Sequence, residues 1–289
     1  MSGYLSVRNL TVALQTGEPI LRSVSLNVAA GQVHGLVGES GAGKSMIGKA
    51  VLGTLPRALH VISGEIWLDG VDLLKLSPAA RRKQIGATAA LIPQDPLTAL
   101  NPSKRIGPQI TRRLVDILGW SKQNAQARAL ELLDEVHIPN PERVMRSYPH
   151  ELSGGMRQRI LIASAFAAEP KLIIADEPTT ALDVTVQKQI LRLIAEMQSH
   201  HGTALLFVTH DLGVVSKVCD SLSVLYAGKV LEEARMHRFF MHPVHPYSAA
   251  LLAATPTYTN PIDSLLPVSE TVIEAVEQEV LEHDIRASR

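Results

Sequence analysis

The sequence is poor in the residues that hold disulfide-rich domains and metal clusters together, with one cysteine, Cys219, among 289 residues. A single cysteine excludes an internal disulfide and any metal site built from cysteines alone. Aromatic residues make up only 4% of the chain, and 28 Lys and Arg residues balance 28 Asp and Glu residues. Because positive charge is not in excess, we expect no nucleic-acid partner.

Long hydrophobic runs are missing as well. No stretch approaches the roughly 18 apolar residues that a membrane span needs. The opening segment MSGYLSVRNL lacks a basic region followed by an apolar one, so we expect no signal peptide. Hydrophobic residues still make up 46% of the chain and charged residues 19%, which indicates a folded protein with a sizeable core. We expect any membrane role to depend on partner proteins.

Three patterns follow one another along the chain. Residues 4–28 alternate apolar and polar side chains around a GEP turn, which predicts antiparallel strands. Short apolar strands such as KLIIAD and TALLFVTH then alternate with helical patterns, which predicts a mainly parallel sheet. Residues from about 96 to 160 are rich in helix formers. We therefore predict an α/β fold with an N-terminal antiparallel β subdomain and an inserted α-helical subdomain.

The domain boundaries follow from the same patterns. We predict one domain over residues 1–260, with the helical insert at about 96–160, and a separate C-terminal tail over residues 261–289. Docking of the tail on its own domain is favoured over docking on a partner. A helix is predicted because apolar residues recur there at nearly helical spacing: Val272, Ile273, Val276, Val280, Leu281 and Ile285.

The segment GESGAGKS matches a phosphate-binding loop, G-x-x-x-x-G-K-[ST], between a predicted strand and a predicted helix. Glycines let backbone N–H groups converge on phosphate oxygens, and the helix N-terminus adds positive potential. Lys44 would reach the β- and γ-phosphates of ATP, and the Ser45 hydroxyl would help to hold Mg²⁺. A plain glycine turn is a much weaker interpretation. The predicted nucleotide-binding residues are Gly38, Glu39, Ser40, Gly41, Ala42, Gly43, Lys44 and Ser45.

A second candidate group lies at the end of KLIIADEP. Four apolar residues form a predicted buried strand that carries Asp176 to its carboxyl end, where ligands bind in parallel sheets. Asp176 would contact Mg²⁺, and Glu177 would act as the general base on the attacking water. Alone, this pair is more typical of a solvated strand end. Downstream of a phosphate-binding loop, the catalytic interpretation is favoured.

Two further strand ends carry polar side chains. His210 ends ALLFVTH and would bond to the γ-phosphate and the attacking water. Gln94 ends LIPQ and would join the Mg²⁺ shell through its amide, moving with the adjoining helical insert. An isolated histidine or glutamine at a strand end is usually a simple hydrogen-bonding residue, so these assignments depend on the order of the other motifs.

A second glycine-rich turn, ELSGGMRQRI at residues 151–160, needs a different role if each chain binds one nucleotide. With this turn, the chain resembles an ATP-binding-cassette (ABC) ATPase with a P-loop NTPase core over about residues 4–255. The motifs that carry the resemblance occur in the family's order: Gly38–Ser45, Gln94, Leu152–Met156, Leu172–Glu177, Ala181–Asp183 and His210.

The resemblance implies that two cassettes pair head to tail. The LSGGM turn of one cassette would then close over the ATP held by the other's P-loop. Ser153, Gly154 and Gly155 would contact that nucleotide, Ser153 and Gly155 by donating hydrogen bonds to its γ-phosphate. Leu182 and Asp183 would communicate across the interface.

Other segments resemble a narrower group, the ATPase subunits of oligopeptide and dipeptide importers, with nickel importers as close relatives. These are QDPLTALNP, Met156, and HPVHPYSAALLAATP at residues 242–256. We interpret the histidine–proline segment as a marker of the subfamily and not as a metal site. The resemblance implies ATP and Mg²⁺ as cofactors. It also implies two membrane permeases, a second ABC ATPase (paralogue or self), an extracytoplasmic solute-binding protein, and a peripheral position at the cytoplasmic face of the inner membrane.

The sequence departs from the family at two places. Leu14 stands where an aromatic residue usually stacks on adenine, so we expect apolar contact alone there. Relatives often carry a cysteine-rich C-terminal segment that can hold an iron–sulfur cluster, whereas Cys219 is the single cysteine here. We therefore expect no iron–sulfur cluster and a core position for Cys219.

Two alternatives to a peptide importer remain open. One is an importer of nickel or another small solute, which would use the same mechanism. The other is a non-transport ABC ATPase of DNA repair or translation. The second is disfavoured because such proteins often fuse two cassettes or carry coiled-coil or nucleic-acid-binding inserts.

Overall fold

The computed structural model describes residues 3–180, 182–255 and 268–287. Three predictions fall partly outside the described residues: Ala181 of one motif, Pro256 of the histidine–proline segment, and residues 261–267 and 288–289 of the tail. The chain divides into two compact units. The first unit comprises residues 1–28, 32–72 and 207–289, and the second comprises residues 29–31 and 73–206.

The described elements alternate strands and helices along most of the chain. The strands are β1 (Leu5–Leu14), β2 (Pro19–Val28), β3 (Val33–Val37), β4 (Leu59–Leu68), β5 (Val71–Asp72), β6 (Ala89–Ile92), β7 (Leu172–Asp176), β8 (Ala204–Thr209), β9 (Ser221–Tyr226) and β10 (Lys229–Arg235). The helices are α1 (Lys44–Val51), α2 (Pro78–Thr88), α3 (Pro96–Ala99), α4 (Ile106–Asp116), α5 (Lys122–Glu135), α6 (Pro141–Arg146), α7 (Gly154–Phe166), α8 (Val184–His201), α9 (Leu212–Val218), α10 (Met236–Met241), α11 (Pro246–Ala253) and α12 (Glu270–Ala287), with 3₁₀ turns at Leu73–Lys75 and Pro149–Glu151.

The first unit contains the N-terminal antiparallel sheet, with strand order β2-β1-β4-β5. The alternation in β2 buries Val24, Leu26 and Val28 on one face, as a half-buried strand requires. Asp69 and Gly70 both have positive φ values, 51° and 76°. This Asp-Gly pair forms the turn that connects β4 to β5, in the conformation that short hairpins favour.

The same unit contains β3, which pairs in parallel with β9, while β9 pairs antiparallel with β10. All five residues of β3 are buried, which explains its nearly continuous apolar sequence. His34 lies within this strand and is enclosed by Ser221 and Ser223 of β9, whose hydroxyls are 2.8 and 2.9 Å from its two ring nitrogens. Strand β3 leads directly into the predicted phosphate loop.

The second unit contains a parallel strand pair and the helix-rich segment. Strands β6 and β7 pair from Ala89–Leu172 to Ile92–Ala175. Helices α4, α5 and α7 pack together through buried aliphatic residues that include Leu114, Leu132 and Ile160. The segment predicted at about 96–160 therefore contains α3 to α7, and α7 extends to Phe166.

Helix α12 lies in the part of the tail that the structure describes. Val276 and Val280 are buried, and Val276 belongs to a core cluster with Tyr247 and Phe239. Arg22 pairs with Asp284 at 2.8 Å. The helix therefore docks on its own unit, which was the favoured alternative.

None of the helices in the described part of the chain is both long enough and apolar enough to cross a membrane.

Candidate active site

The phosphate loop joins β3 to α1 and needs glycine at two crowded positions. Gly38 and Gly43 have φ values of 156° and 100°, which residues other than glycine rarely adopt. A Cβ atom on Gly38 would lie 2.1 Å from the backbone oxygen of Leu225, and one on Gly43 would lie 2.9 Å from Leu21 Cδ2. The loop thus keeps a narrow backbone path that side chains would block, as a phosphate cradle requires.

Lys44 closes this loop. Its Nζ atom donates hydrogen bonds to the backbone oxygens of Gly38 and Glu39, each at 2.8 Å, and its side chain is buried. Lys44 and Ser45 also begin helix α1, so the ammonium, the hydroxyl and the positive end of the helix dipole share one location. These residues fit a triphosphate, and the Ser45 hydroxyl is an oxygen ligand of the kind that Mg²⁺ prefers.

The turn between β9 and β10 supports the loop from behind, which the sequence reasoning missed. The backbone N–H of Gly228 donates to the oxygen of Ala42 at 2.8 Å, and the N–H of Arg22 donates to the oxygen of Gly228 at 2.8 Å. A Cβ atom on Gly228 would lie 2.1 Å from the oxygen of Ile20. The glycine in LYAGKV, between two apolar strands, is the sequence signal that would have marked this close approach.

The histidine–proline segment also lies in the first unit. Backbone N–H groups of Val244 and His245 donate to the carboxylate of Glu232 at 2.9–3.1 Å. Burial opposes ionisation of Glu232, but these hydrogen bonds outweigh it and its pKa is lowered. His245 Nδ1 accepts from the Tyr247 N–H, so its Nε2 donates to Glu279 of α12 at 3.1 Å. The segment therefore anchors α11 and α12 on the unit.

Tyr247 links this segment to the phosphate loop. Its ring is fully buried, with its centroid 5.0 Å from that of Tyr226. Burial, followed by the negative charge of Glu39, raises the pKa of the Tyr247 hydroxyl. Glu39 is the second residue of the phosphate loop. Tyr247, which belongs to the segment that marks the subfamily, therefore interacts with a loop residue.

In the second unit, Glu177 follows β7 directly after Asp176. Its φ value is 46°, a left-handed conformation that is uncommon for residues other than glycine and that tends to occur at functional sites. Its Oε2 atom accepts hydrogen bonds from Thr180 Oγ1 at 2.9 Å and from Gln94 Nε2 at 3.2 Å. The structure therefore brings Gln94 and Glu177 together and adds Thr180, which sequence reasoning missed. A carboxylate held by two donors is oriented to accept a proton.

Helix α7 carries the second glycine-rich turn at its N-terminus. Ser153 is the N-cap, and its Oγ accepts from the Met156 N–H at 3.3 Å. Ser153 and Gly154 are exposed and Gly155 is half-buried. One turn later, Gln158 is buried and donates to the oxygen of Pro178 at 2.7 Å, so this helix is bonded to the residue after Glu177.

The remaining candidates lie at element ends. Asp183 is the exposed N-cap of α8, and its Oδ1 accepts from Thr185 and Val186 N–H groups at 3.0 and 2.9 Å, a structural role beyond the predicted one. His210 is exposed directly after β8. Leu14 is the half-buried last residue of β1.

The candidates thus fall into two sets. The first unit contains the loop residues and His210, and the second contains Gln94, Ser153–Gly155, Asp176, Glu177 and Asp183.

Comparison with known proteins places these motifs in a family. The family model described as ABC transporter matches residues 21–180. The probable D,D-dipeptide transport ATP-binding protein DdpD of Escherichia coli is 47% identical over 253 residues, covering 87% of this chain and 77% of that protein. The oligopeptide transport ATP-binding protein OppD of Bacillus subtilis is 45% identical over 257 residues, covering 88% of this chain and 72% of that protein.

Solved structures have the same fold. CbiO1 from Clostridium perfringens, part of the ABC transporter complex CbiONQ, aligns with a TM-score of 0.73 and 26% identity, over 87% of this chain and 96% of that chain. The ATP-binding cassette MJ0796, in a dimeric post-hydrolysis state bound to ADP and Pi, aligns with a TM-score of 0.70 and 26% identity, over 80% of this chain and 98% of that chain.

An α/β fold with a P-loop, an antiparallel N-terminal sheet and a helix-rich segment defines a nucleotide-binding cassette. The chain belongs to the ABC transporter family. The predictions of fold class and family are confirmed.

Proposed function

We propose that this protein is the ATP-hydrolysing subunit of an ABC importer of peptides. The observation that carries the proposal is its 42–47% identity to proteins named for dipeptide, D,D-dipeptide or oligopeptide transport, each matched over most of both chains. The Gly38–Ser45 loop supports the ATP-binding part, because its backbone path and the position of Lys44 suit a triphosphate.

The hydrolytic step assigns one role to each candidate residue. Lys44 and the loop N–H groups hold the β- and γ-phosphates of ATP. Glu177 takes a proton from the attacking water while the water oxygen bonds to the γ-phosphorus. The bond between the γ-phosphorus and the oxygen that bridges it to ADP breaks, so ADP leaves and phosphate is released. Thr180 and Gln94 orient the base, and His210 contacts the γ-phosphate.

Mg²⁺ would be held by Ser45, Asp176 and Gln94, whose side chains offer the oxygen ligands that this ion prefers, and it would neutralise charge on the phosphates.

A second ABC ATPase, a paralogue or another copy of this chain, completes the site. The exposed N-terminus of α7, with Ser153 and Gly154 at its tip, is suited to the γ-phosphate bound by the partner cassette. Ser153 already serves as the cap of this helix, so its backbone and hydroxyl are held in place. The dimer would close on ATP and reopen after hydrolysis.

The complex would contain two membrane permeases, and a groove in the second unit would dock one of them. The groove has a volume of about 1030 Å³ and lies among α3 to α7, with Leu100, Arg112, Val115, Gln126 and Met145 in its lining. Helix α3 begins directly after Asp95, which caps it by accepting from the Leu97 N–H at 2.8 Å. Because Gln94 precedes this cap, movement of a docked permease would reach the hydrogen bond between Gln94 and Glu177.

The complex would also include an extracytoplasmic solute-binding protein, with this chain peripheral at the cytoplasmic face of the inner membrane. Purifying the tagged chain from its native membranes in mild detergent tests this assembly. We expect two permeases, a second ATPase and a peptide-binding protein. Recovery of no membrane partner would overturn the transporter assignment.

An exposed arginine provides a matched test of the groove. Arg112 pairs with Asp116 one helical turn away, as Arg192 pairs with Glu196 on α8, but only Arg112 lines the groove. We expect Arg112→Glu to reduce recovery of the permeases and Arg192→Glu to leave it unchanged. Equal recovery with both variants would contradict docking in this groove.

A further inference from the structure

A cluster of three potential metal ligands lies in the second unit. None of the three residues has a proposed role in binding or hydrolysing ATP. Glu135 ends α5, and His200 and His201 end α8. The ligand atoms of these three side chains lie within 4.8 Å of one another. His201 Nε2 is 3.1 Å from Glu135 Oε2. We propose that this cluster is a binding site for a divalent transition-metal ion of the zinc class.

The donor set fits that chemistry. Zinc takes imidazole nitrogen and carboxylate oxygen at about 2.0–2.2 Å in tetrahedral sites, often with three protein ligands and one water. Bonds of that length place neighbouring ligand atoms about 3.3 Å apart, close to the 3.1 Å between His201 and Glu135. His200 would need only a modest side-chain movement. Mg²⁺ prefers oxygen ligands, so this site is distinct in kind from the nucleotide's Mg²⁺ site.

Arg128 fixes the carboxylate from the other side. Its Nη1 atom is 3.2 Å from Glu135 Oε1, which directs Oε2 towards His201. Hydrogen bonds of this kind, made by groups behind the ligands, orient metal ligands. Arg128 also pairs with Glu131 at 3.2 Å and with Glu169 at 3.8 Å. Three carboxylates share this one guanidinium, so negative charge exceeds positive charge within this group, which favours a cation.

The imidazole rings are positioned as well. The His201 ring packs against Phe166 with centroids 5.4 Å apart. The His200 ring meets the His201 ring edge-on, with centroids 4.9 Å apart. His200 is exposed while His201 and Glu135 are half-buried, which leaves an entry path on one side. A bound ion would connect α5, in the helix-rich segment, to the C-terminal end of α8.

Cobalt titration tests the proposal, because tetrahedral Co²⁺ gives strong visible absorption. The full chain would carry a tag without histidine and would be kept at fixed Mg²⁺. We expect one Co²⁺ per chain in this site, displaced by Zn²⁺, and a rise in Tm with Zn²⁺. His201→Gln and Glu135→Gln should weaken binding at least tenfold. Wild-type binding that is absent, or equally tight in these variants, would overturn the proposal.

Two further variants serve as controls. His200→Gln changes an exposed side chain and should fold normally, with an unchanged metal-free Tm, so its loss of metal affinity would reflect a lost ligand. His237 is exposed on α10 in the first unit, and His237→Gln should bind as tightly as the wild type. If His237→Gln weakens binding as much as His200→Gln, the metal binds to surface histidines in general and the site is refuted. The assay uses no ATP, so failure of the proposed transport function would not affect it.

Discussion

Gln94 and Glu177, which follow the paired parallel strands β6 and β7, are joined by a hydrogen bond of 3.2 Å from Gln94 Nε2 to Glu177 Oε2. Thr180 donates to the same oxygen at 2.9 Å. The proposed base is thus held by Gln94, which directly precedes the Asp95 cap of α3, and by Thr180 of its own turn. In the proposed mechanism, movement of a docked permease would reach the base through the bond from Gln94.

Removing the Thr180 hydroxyl should disturb the base without affecting nucleotide binding. A hydrogen bond to a charged group contributes about 1.5–3 kcal/mol, so Thr180→Val should lower kcat roughly tenfold or more and leave the KM for ATP unchanged. Steady-state phosphate release measures both. Thr88→Val, which removes a hydroxyl bonded to the oxygen of Gln84, is the control. A Thr180→Val enzyme with wild-type kcat would show that this bond does not position the base.

Removing the Lys44 ammonium should weaken ATP binding itself. The charge-assisted contacts that it would make with phosphates are strong, and we expect Lys44→Ala to raise the Kd for ATP by about 10- to 100-fold, equivalent to about 1.4–2.8 kcal/mol. Calorimetric titration measures the change. Lys49→Ala, on the same helix but in its last turn, should bind ATP normally. Equal affinities for the two variants would contradict the role of the loop.

Burial of His34 should make folding stability depend on pH. Burial lowers the pKa of His34 from 6.5 to about 4, so the unfolded chain takes up a proton at a higher pH than the folded chain does. The contribution of His34 to the free energy of unfolding is therefore fully present above pH 6.5. It is lost as the pH drops towards 4, by about 3 kcal/mol in total.

Denaturant unfolding at several pH values measures this slope. His34→Gln should flatten it between pH 6.5 and 4, whereas His237→Gln, at an exposed position, should keep it. A His34→Gln variant with the wild-type slope would assign the pH dependence to other groups.

The ion pair between Arg22 and Asp284 should stabilise the docked α12. Arg22 Nε contacts both carboxylate oxygens, at 2.8 and 3.1 Å, and its Nη1 donates to the oxygen of Ala227 at 2.6 Å. The pair is partly buried, so Asp284→Asn should cost about 1 kcal/mol or more of unfolding free energy. Glu282→Gln removes an exposed pair with Arg286 within the same helix and should cost less than about 0.5 kcal/mol. Equal unfolding midpoints for the two variants would contradict the role of Arg22.

Local features of the sequence predicted much of the fold. The antiparallel strands around the GEP turn and the apolar strand before the phosphate loop follow from short-range rules of alternation and burial. The residue order of the motifs placed Gln94 and Glu177 at the ends of strands, but it did not predict the bond between them. The roles of individual site residues remain predictions.

Contacts between distant residues could not be predicted from the sequence. Arg22 and Asp284 are 262 positions apart. The partners of His34 belong to β9, 187 and 189 positions further along the chain. Both pairings depend on how the whole chain folds, which local patterns do not reveal. The tail shows the same limit at smaller scale. Its apolar stripe predicted a helix, yet Val276 and Val280 are buried while Leu281 and Ile285 are 53% and 48% exposed, because the contact surface is narrower than the stripe.

The most direct test of the central claim is uptake of a labelled peptide by cells whose own copy of this protein is replaced by Glu177→Gln, measured with the ATPase activity of the purified variant. General-base catalysis contributes about 10²–10⁴ in rate, so we predict ATPase activity reduced by at least 100-fold, peptide uptake at background level, and unchanged ATP binding. Uptake and hydrolysis at wild-type rates in this variant would contradict the account.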